Sequence, residues 1–152
     1  MIQEVSSDPL ADTIEYLMRD LLNLATGNPD NHGRNTALRK FVDGSIRLAP
    51  LFDYAPKKLA AAGIPRSTKW KCMKAQGLDL RPDWSEVCET VAGKLTAADL
   101  KSALAGKEEL LRALPDIARR HGVPEQVVAI AITANNQLAD DVAQLRPASA
   151  NK

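Results

Sequence analysis

Asp30, His32, Asn35 and Asp53 are the residues in this chain whose types and spacing suit chemistry. The stretch Asn28-Pro29-Asp30-Asn31-His32-Gly33-Arg34-Asn35 puts an acid, an imidazole, a glycine, a base and several amides into eight residues. A second acid follows in Leu48-Ala49-Pro50-Leu51-Phe52-Asp53-Tyr54. An Asp, an Asn five residues on and a later Asp is a spacing used for phosphoryl transfer. The first carboxylate accepts a hydrogen bond from the attacking hydroxyl, and the amide and second carboxylate hold a metal ion against the phosphates. Asn35 offers a neutral oxygen and Asp53 an anionic one, the donor types that Mg²⁺ prefers. His32 is placed either to donate to a backbone carbonyl or to position Asp30. His121, the only other histidine, lies far away in sequence, so a zinc set has no support. Taken alone, Asp30 in Asn-Pro-Asp is an ordinary turn residue. The joint spacing with Asn35 and Asp53 is what marks it.

The flanking elements must bring these residues together. Ser7-Asp8-Pro9 reads as a helix start, with a capping residue followed by proline in the first turn. Leu10, Ile14, Leu17, Leu21 and Leu24 then recur at helical steps, and Gly27 with Pro29 ends the run. Residues 28–35 are thus a loop anchored on a buried helix. Thr36-Ala37-Leu38 reads as a short strand, and Phe41-Val42 and Ile46-Arg47-Leu48 flank the turn dipeptide Asp43-Gly44. An antiparallel hairpin sets its two outer ends side by side, which carries Asp53 back towards Asn35.

The remainder predicts helices. Met1 to Ser6 is polar and expected to be loose. Lys57 to Ala62 reads as a short helix closed by Gly63. The stretch 64–82 is the least patterned and holds Arg66, Lys69, Lys71, Lys74 and Arg81 around Trp70. A basic run with one aromatic suits either a phosphorylated or nucleic-acid partner or, more simply, a solvated connector anchored by its tryptophan. From Asp83 onward, apolar residues recur at three and four steps. Thr96 and Asp99 resemble a capping box, Pro115 is expected to kink or split its helix, and a last helix is expected to start at Val123-Pro124-Glu125 with an apolar face from Val127 to Leu145.

At 152 residues, with 45% hydrophobic and 26% charged residues, the chain has the size and composition of one globular domain, mainly α with one short β-hairpin. A net charge of +1 gives no global attraction to nucleic acid or acidic membranes. Cys72 and Cys88 form no CxxC pair and read as two reduced thiols. No apolar run nears the roughly 20 residues that span a bilayer, and no signal peptide is evident, so a cytoplasmic protein is expected.

The segments Asn28 to Asn35 and Leu48 to Tyr54 resemble the C-terminal lobe of HipA-like serine/threonine kinases, the toxin components of bacterial toxin–antitoxin pairs. That family has an Asp-x-His-x-x-Asn loop, a short hairpin and a Pro-x-Tyr/Phe-Asp segment at similar separation. The resemblance runs from about Asp8 to Pro56. It implies a helical kinase C-lobe, with the catalytic loop and metal segment at 28–56 and the helical remainder at 83–146. It also implies transfer of the ATP γ-phosphoryl group to a Ser or Thr hydroxyl of a protein substrate, with Mg²⁺. Asp30 matches the catalytic Asp, and Asn35 and Asp53 match the ligands of Mg²⁺ and hence of ATP. These 152 residues hold no glycine-rich phosphate loop and no Lys in an apolar strand pattern. A further chain or segment supplying an N-lobe is therefore expected as a partner, and the isolated chain is expected to be inactive. The alternative is a relic lobe that binds a partner without catalysis, such as an antitoxin-like DNA-binding protein. Neither reading expects membrane attachment or direct contact with nucleic acid.

Overall fold

Helix α2, Pro9–Ala25, is the axis of the domain, and the sequence sets both of its ends. Asp8 caps it by accepting a hydrogen bond from the backbone N–H of Ala11 at 3.1 Å, and Pro9 occupies the first turn, where a missing N–H costs nothing. Gly27, with φ of +64°, turns the chain out of the helix, and a Cβ there would meet the Ala131 carbonyl oxygen at 2.9 Å. Both the backbone angle and the close approach require glycine. The computed structural model describes residues 2–60, 66, 68–75 and 81–147.

Before α2, Ile2–Val5 form a single helical turn, α1, where a loose segment was expected. The difference has a local cause: Gln3 Nε2 donates to the Val91 carbonyl at 2.6 Å and pins the N-terminal turn to a later helix. After the 28–35 loop, β1 (Leu38–Lys40) pairs antiparallel with β2 (Ile46–Leu48), with Leu38 opposite Leu48. Pairing begins at Leu38 rather than Thr36, although Ala49 N–H still reaches the Ala37 carbonyl at 2.9 Å. The hairpin is fastened to α2 by Asp12. Its carboxylate accepts from Arg47 Nε at 3.0 Å, from the Leu48 N–H at 3.1 Å and from the Ser6 hydroxyl at 2.5 Å. Burial pushes the Asp12 pKa up, but the bonds from Ser6, Arg47 and Leu48 outweigh it and the net shift is downward.

The expected helix from Lys57 is a single 3-10 turn, Lys57–Leu59, followed by extended Ala60; Gly63 lies outside the described residues. The rest is helical: α3 (Trp84–Ala92), α4 (Ala97–Ala105), α5 (Glu108–Arg120), α6 (Glu125–Ala131) and α7 (Asn135–Ala143). Leu17, Leu21 and Ala25 of α2 meet Trp84, Val87, Cys88, Leu100, Leu104, Leu111, Leu138 and Val142 in one core. Both cysteines are free, and burial pushes the Cys88 thiol up to about 11.

Two helix expectations are corrected. The break in the leucine-rich run falls at Gly106-Lys107, between α4 and α5, and α5 continues through Pro115. Proline cannot donate to the carbonyl of Leu111 one turn back. Asn135 Nδ2 donates to that carbonyl instead, at 3.3 Å, which satisfies the freed acceptor from another helix. The expected single last helix is two, α6 and α7, interrupted at 132–134. The interruption lets buried Asn135 reach Leu111, and Thr133 Oγ1 accepts from Lys58 Nζ at 3.0 Å.

Candidate active site

The 28–35 loop stands on the polar side of α2. Thr13, Tyr16, Asp20 and Asn23 recur at steps of three and four, so a polar stripe runs beside the apolar one, with Thr13, Asp20 and Asn23 buried and Tyr16 half-buried. Asn23 Oδ1 accepts from Asn28 Nδ2 at 2.8 Å, and the Asn23 carbonyl accepts from the Asn28 N–H at 2.8 Å. Asn28 Oδ1 in turn accepts from the Asp30 N–H at 3.3 Å. Asp20, 2% exposed, accepts from Asn31 Nδ2 at 2.7 Å on the loop. The same carboxylate accepts from Arg66 Nη2 at 2.7 and 2.8 Å and from Trp70 Nε1 at 2.7 Å. Trp70 also sets its ring edge-on to Tyr16, with centroids 6.0 Å apart. Arg66 and Trp70 of the basic stretch therefore anchor inward, while residues 64–65, 67 and 76–80 of that stretch lie outside the described residues.

Within the loop, Gly33–Asn35 make a 3-10 turn that brings Asn35 back over Asp30. Asn35 Nδ2 donates to the Asp30 carbonyl at 2.8 Å, which leaves its Oδ1 as the free acceptor. His32 Nε2 lies 3.3 Å from Asp30 Oδ1, so the imidazole is placed against the carboxylate. The hairpin returns the chain, and Arg19 Nη2 fastens its far end by donating to the Ala49 carbonyl at 2.8 Å. Asp53 follows with φ of 51°, the one non-glycine residue with positive φ among those described. Asp tolerates this region better than most residues, but it is still a strained backbone.

Asp30, Asn35 and Asp53 all line one cavity of about 10 Å³, together with Asp20, Asn23, Asn28 and Asn31. That volume is room for about one water-sized particle, and its walls mix these polar groups with Leu51, Phe52 and Tyr54. Lys57, which the sequence reading passed over, closes the group. Its Nζ donates to Asp30 Oδ2 and, at 3.2 Å, to Asp53 Oδ1. The hydrogen bond from Lys57 holds the Asp30 carboxyl below the usual range, against the smaller upward push of burial, and the charges of Lys57 and His32 add to the lowering. The same bonds, first to Asp30 and then to Asp53, raise the Lys57 pKa. Lys57 stands four residues after Asp53, a spacing that could have drawn attention to it. Among the described residues no three His, Cys, Asp or Glu side chains cluster as a metal set. The oxygen set here is two carboxylates and an amide. An ammonium group already bridges the two carboxylates, which shows that one cation reaches both, and the donors suit a hard divalent ion.

The model of the HipA-like C-terminal domain family matches residues 1–122, and the chain belongs to that family. The match spans α1 to α5, with the whole loop, hairpin and Asp53 segment inside it. A search of the curated proteins finds no match. Among the described residues no helix is long and apolar enough to cross a membrane.

Proposed function

We propose that this chain is the catalytic lobe of a HipA-like protein serine/threonine kinase, transferring the γ-phosphoryl group of ATP to a protein hydroxyl. The observation that carries the reading is the convergence of Asp30, Asn35 and Asp53 on one small cavity. Asp30 accepts a hydrogen bond from the substrate hydroxyl. As that oxygen bonds to the γ-phosphorus and the bond to ADP breaks, the hydroxyl proton passes to the Asp30 carboxylate. His32 Nε2, beside Asp30 Oδ1, limits the carboxylate's rotation. Asn35 Oδ1 and the Asp53 carboxylate would hold Mg²⁺, which when bound offsets the charge of the phosphates. The buried contacts of Asp20, Asn23 and Asn28 hold the loop in this form without substrate, so little of the geometry needs assembling during reaction.

The chain's own residues cradle the phosphates from one side only, since they include no glycine-rich loop. Leu51, Phe52 and Leu59 are each exposed by about two-fifths and flank Asp53 and Lys57, a surface suited to cover by an N-lobe. The same surface supports the second reading, a lobe that docks a partner such as an antitoxin-like DNA-binding protein without catalysis. Transfer of ³²P from γ-labelled ATP with Mg²⁺ separates the two. The chain alone should give none, the chain fused behind a HipA-like N-lobe should give transfer, and Asp53→Ala in the fusion should abolish it. Tight partner binding by a fusion that never transfers phosphate would favour the second reading.

A further inference from the structure

Lys57 stands against Asp53, one of the two residues to which the kinase reading gives the metal. Its ammonium contacts one oxygen of Asp30 and one of Asp53, two of the three carboxylates that line the small cavity with Asn35. The side chain is held rather than draped over the surface, being 22% exposed against 17% for Asp30. Its backbone is fixed as well. Lys57 N–H donates to the Ala55 carbonyl at 2.7 Å, and the next residue's N–H donates to the Gly27 carbonyl at 2.9 Å. Lys58 Nζ points the other way, to Thr133 Oγ1 at 3.0 Å, so the two lysines are sorted to different sides of the turn.

We propose that Lys57 is the resident counter-cation of the Asp30–Asp53 pair and competes with a divalent metal for the Asp53 carboxylate. The proposal rests on the kinase reading of the site and goes beyond it, because it makes metal entry conditional on movement of a lysine. An ammonium and a divalent ion repel each other and cannot share the same carboxylate oxygens at contact distance. A divalent ion holds oxygens at about 2.1 Å and therefore displaces the Nζ, which now stands 3.2 Å from Asp53 Oδ1. In the absence of metal the lysine neutralises two acids that would otherwise repel across the cavity. Metal delivered with a nucleotide brings phosphate oxygens that can take up the displaced ammonium, whereas free metal brings no such acceptor. The device thus favours nucleotide-bound metal over the free ion.

The test measures metal binding without nucleotide and without turnover. Free Mn²⁺ is counted by electron paramagnetic resonance as it is titrated into the full chain and its variants, with circular dichroism confirming the fold. If the ammonium holds the site about nine times in ten, removing it tightens apparent binding about tenfold. Lys57→Met should therefore bind Mn²⁺ at least about tenfold more tightly than the wild type, and Lys57→Gln serves if the methionine variant misfolds. Lys57→Arg, which keeps the charge, should stay near wild type, and adding Asp53→Ala to Lys57→Met should erase the gain. Equal binding by wild type and Lys57→Met, weakened in both by Asp53→Ala, overturns the competition and leaves the metal site standing. A gain in Lys57→Arg as large as in Lys57→Met also overturns it. Absence of Mn²⁺ binding by both neutral variants overturns the inference and the metal reading together.

Discussion

Asp20 and Asp53 both serve the same loop, and they are held in opposite ways. Asp20 sits in the middle of a helix, 2% exposed, with Arg66, Trp70 and Asn31 all donating to its two oxygens. Asp53 sits at a positive φ of 51°, its side chain 53% exposed, with one lysine as its ion-pair partner. Nothing more could be asked of the Asp20 carboxylate, whose lone pairs are taken. Asp53 has acceptor capacity to spare and a backbone that is tolerated rather than favoured. Strain and unfilled capacity at one residue, beside saturation at another, separate a working group from the scaffold that carries it.

The largest effect expected from this contrast is on stability. Asp20→Ala leaves the nearly buried Arg66 guanidinium uncompensated and strips partners from Trp70 and Asn31, at a cost of about 3–5 kcal/mol by urea denaturation. Equal losses for Asp20→Ala and Asp53→Ala would break the comparison.

Asp12 gives a smaller and pH-dependent effect. Its folded pKa lies below its ordinary value of 3.8, so its contribution is present above that value and lost as pH falls through the folded one. Asp12→Asn should cost about 1–2 kcal/mol at pH 7, and the difference from wild type should shrink in denaturation curves taken well below pH 4. A difference that stays constant with pH would mean that the hairpin is not held by the charged carboxylate.

The smallest effect is at Asp53 itself. Asp53→Gly loses an exposed ion pair worth about 0–1 kcal/mol and relieves a left-handed backbone worth about 1 kcal/mol, so its melting temperature should match or slightly exceed wild type. A marked fall in melting temperature would place Asp53 in the scaffold.

Much of this arrangement was legible in the sequence because it rests on local rules. Asp8-Pro9, the leucine stripe and Gly27 define α2, and Asp43-Gly44 defines the hairpin, so the convergence of its outer ends follows from chain geometry. What was not legible depends on contacts between distant elements. Pro115 reads as a break, and only the Asn135 side chain, arriving from α7, makes it tolerable. The division between α6 and α7 is hidden because apolar spacing continues across it, although Asn135-Asn136 is a poor interior for a helix. In the site, Asp30, His32 and Asn35 are near neighbours in sequence and could be grouped by spacing. Asp20 acts through Arg66 and Trp70, more than forty residues on, and its only local signal was the polar stripe on α2. Lys57 was masked by an adjacent lysine of the same type that faces elsewhere.

In the proposed kinase reading, Asp30 takes the proton of a hydroxyl as it is phosphorylated. The most direct measurement is the rate of ³²P transfer from ATP by the chain fused behind a HipA-like N-lobe, with wild type and Asp30→Asn compared at matched folding. The amide preserves size and cannot take the proton, so the variant should lose about 10²-fold or more of the transfer rate. Transfer by Asp30→Asn at the wild-type rate would contradict the account.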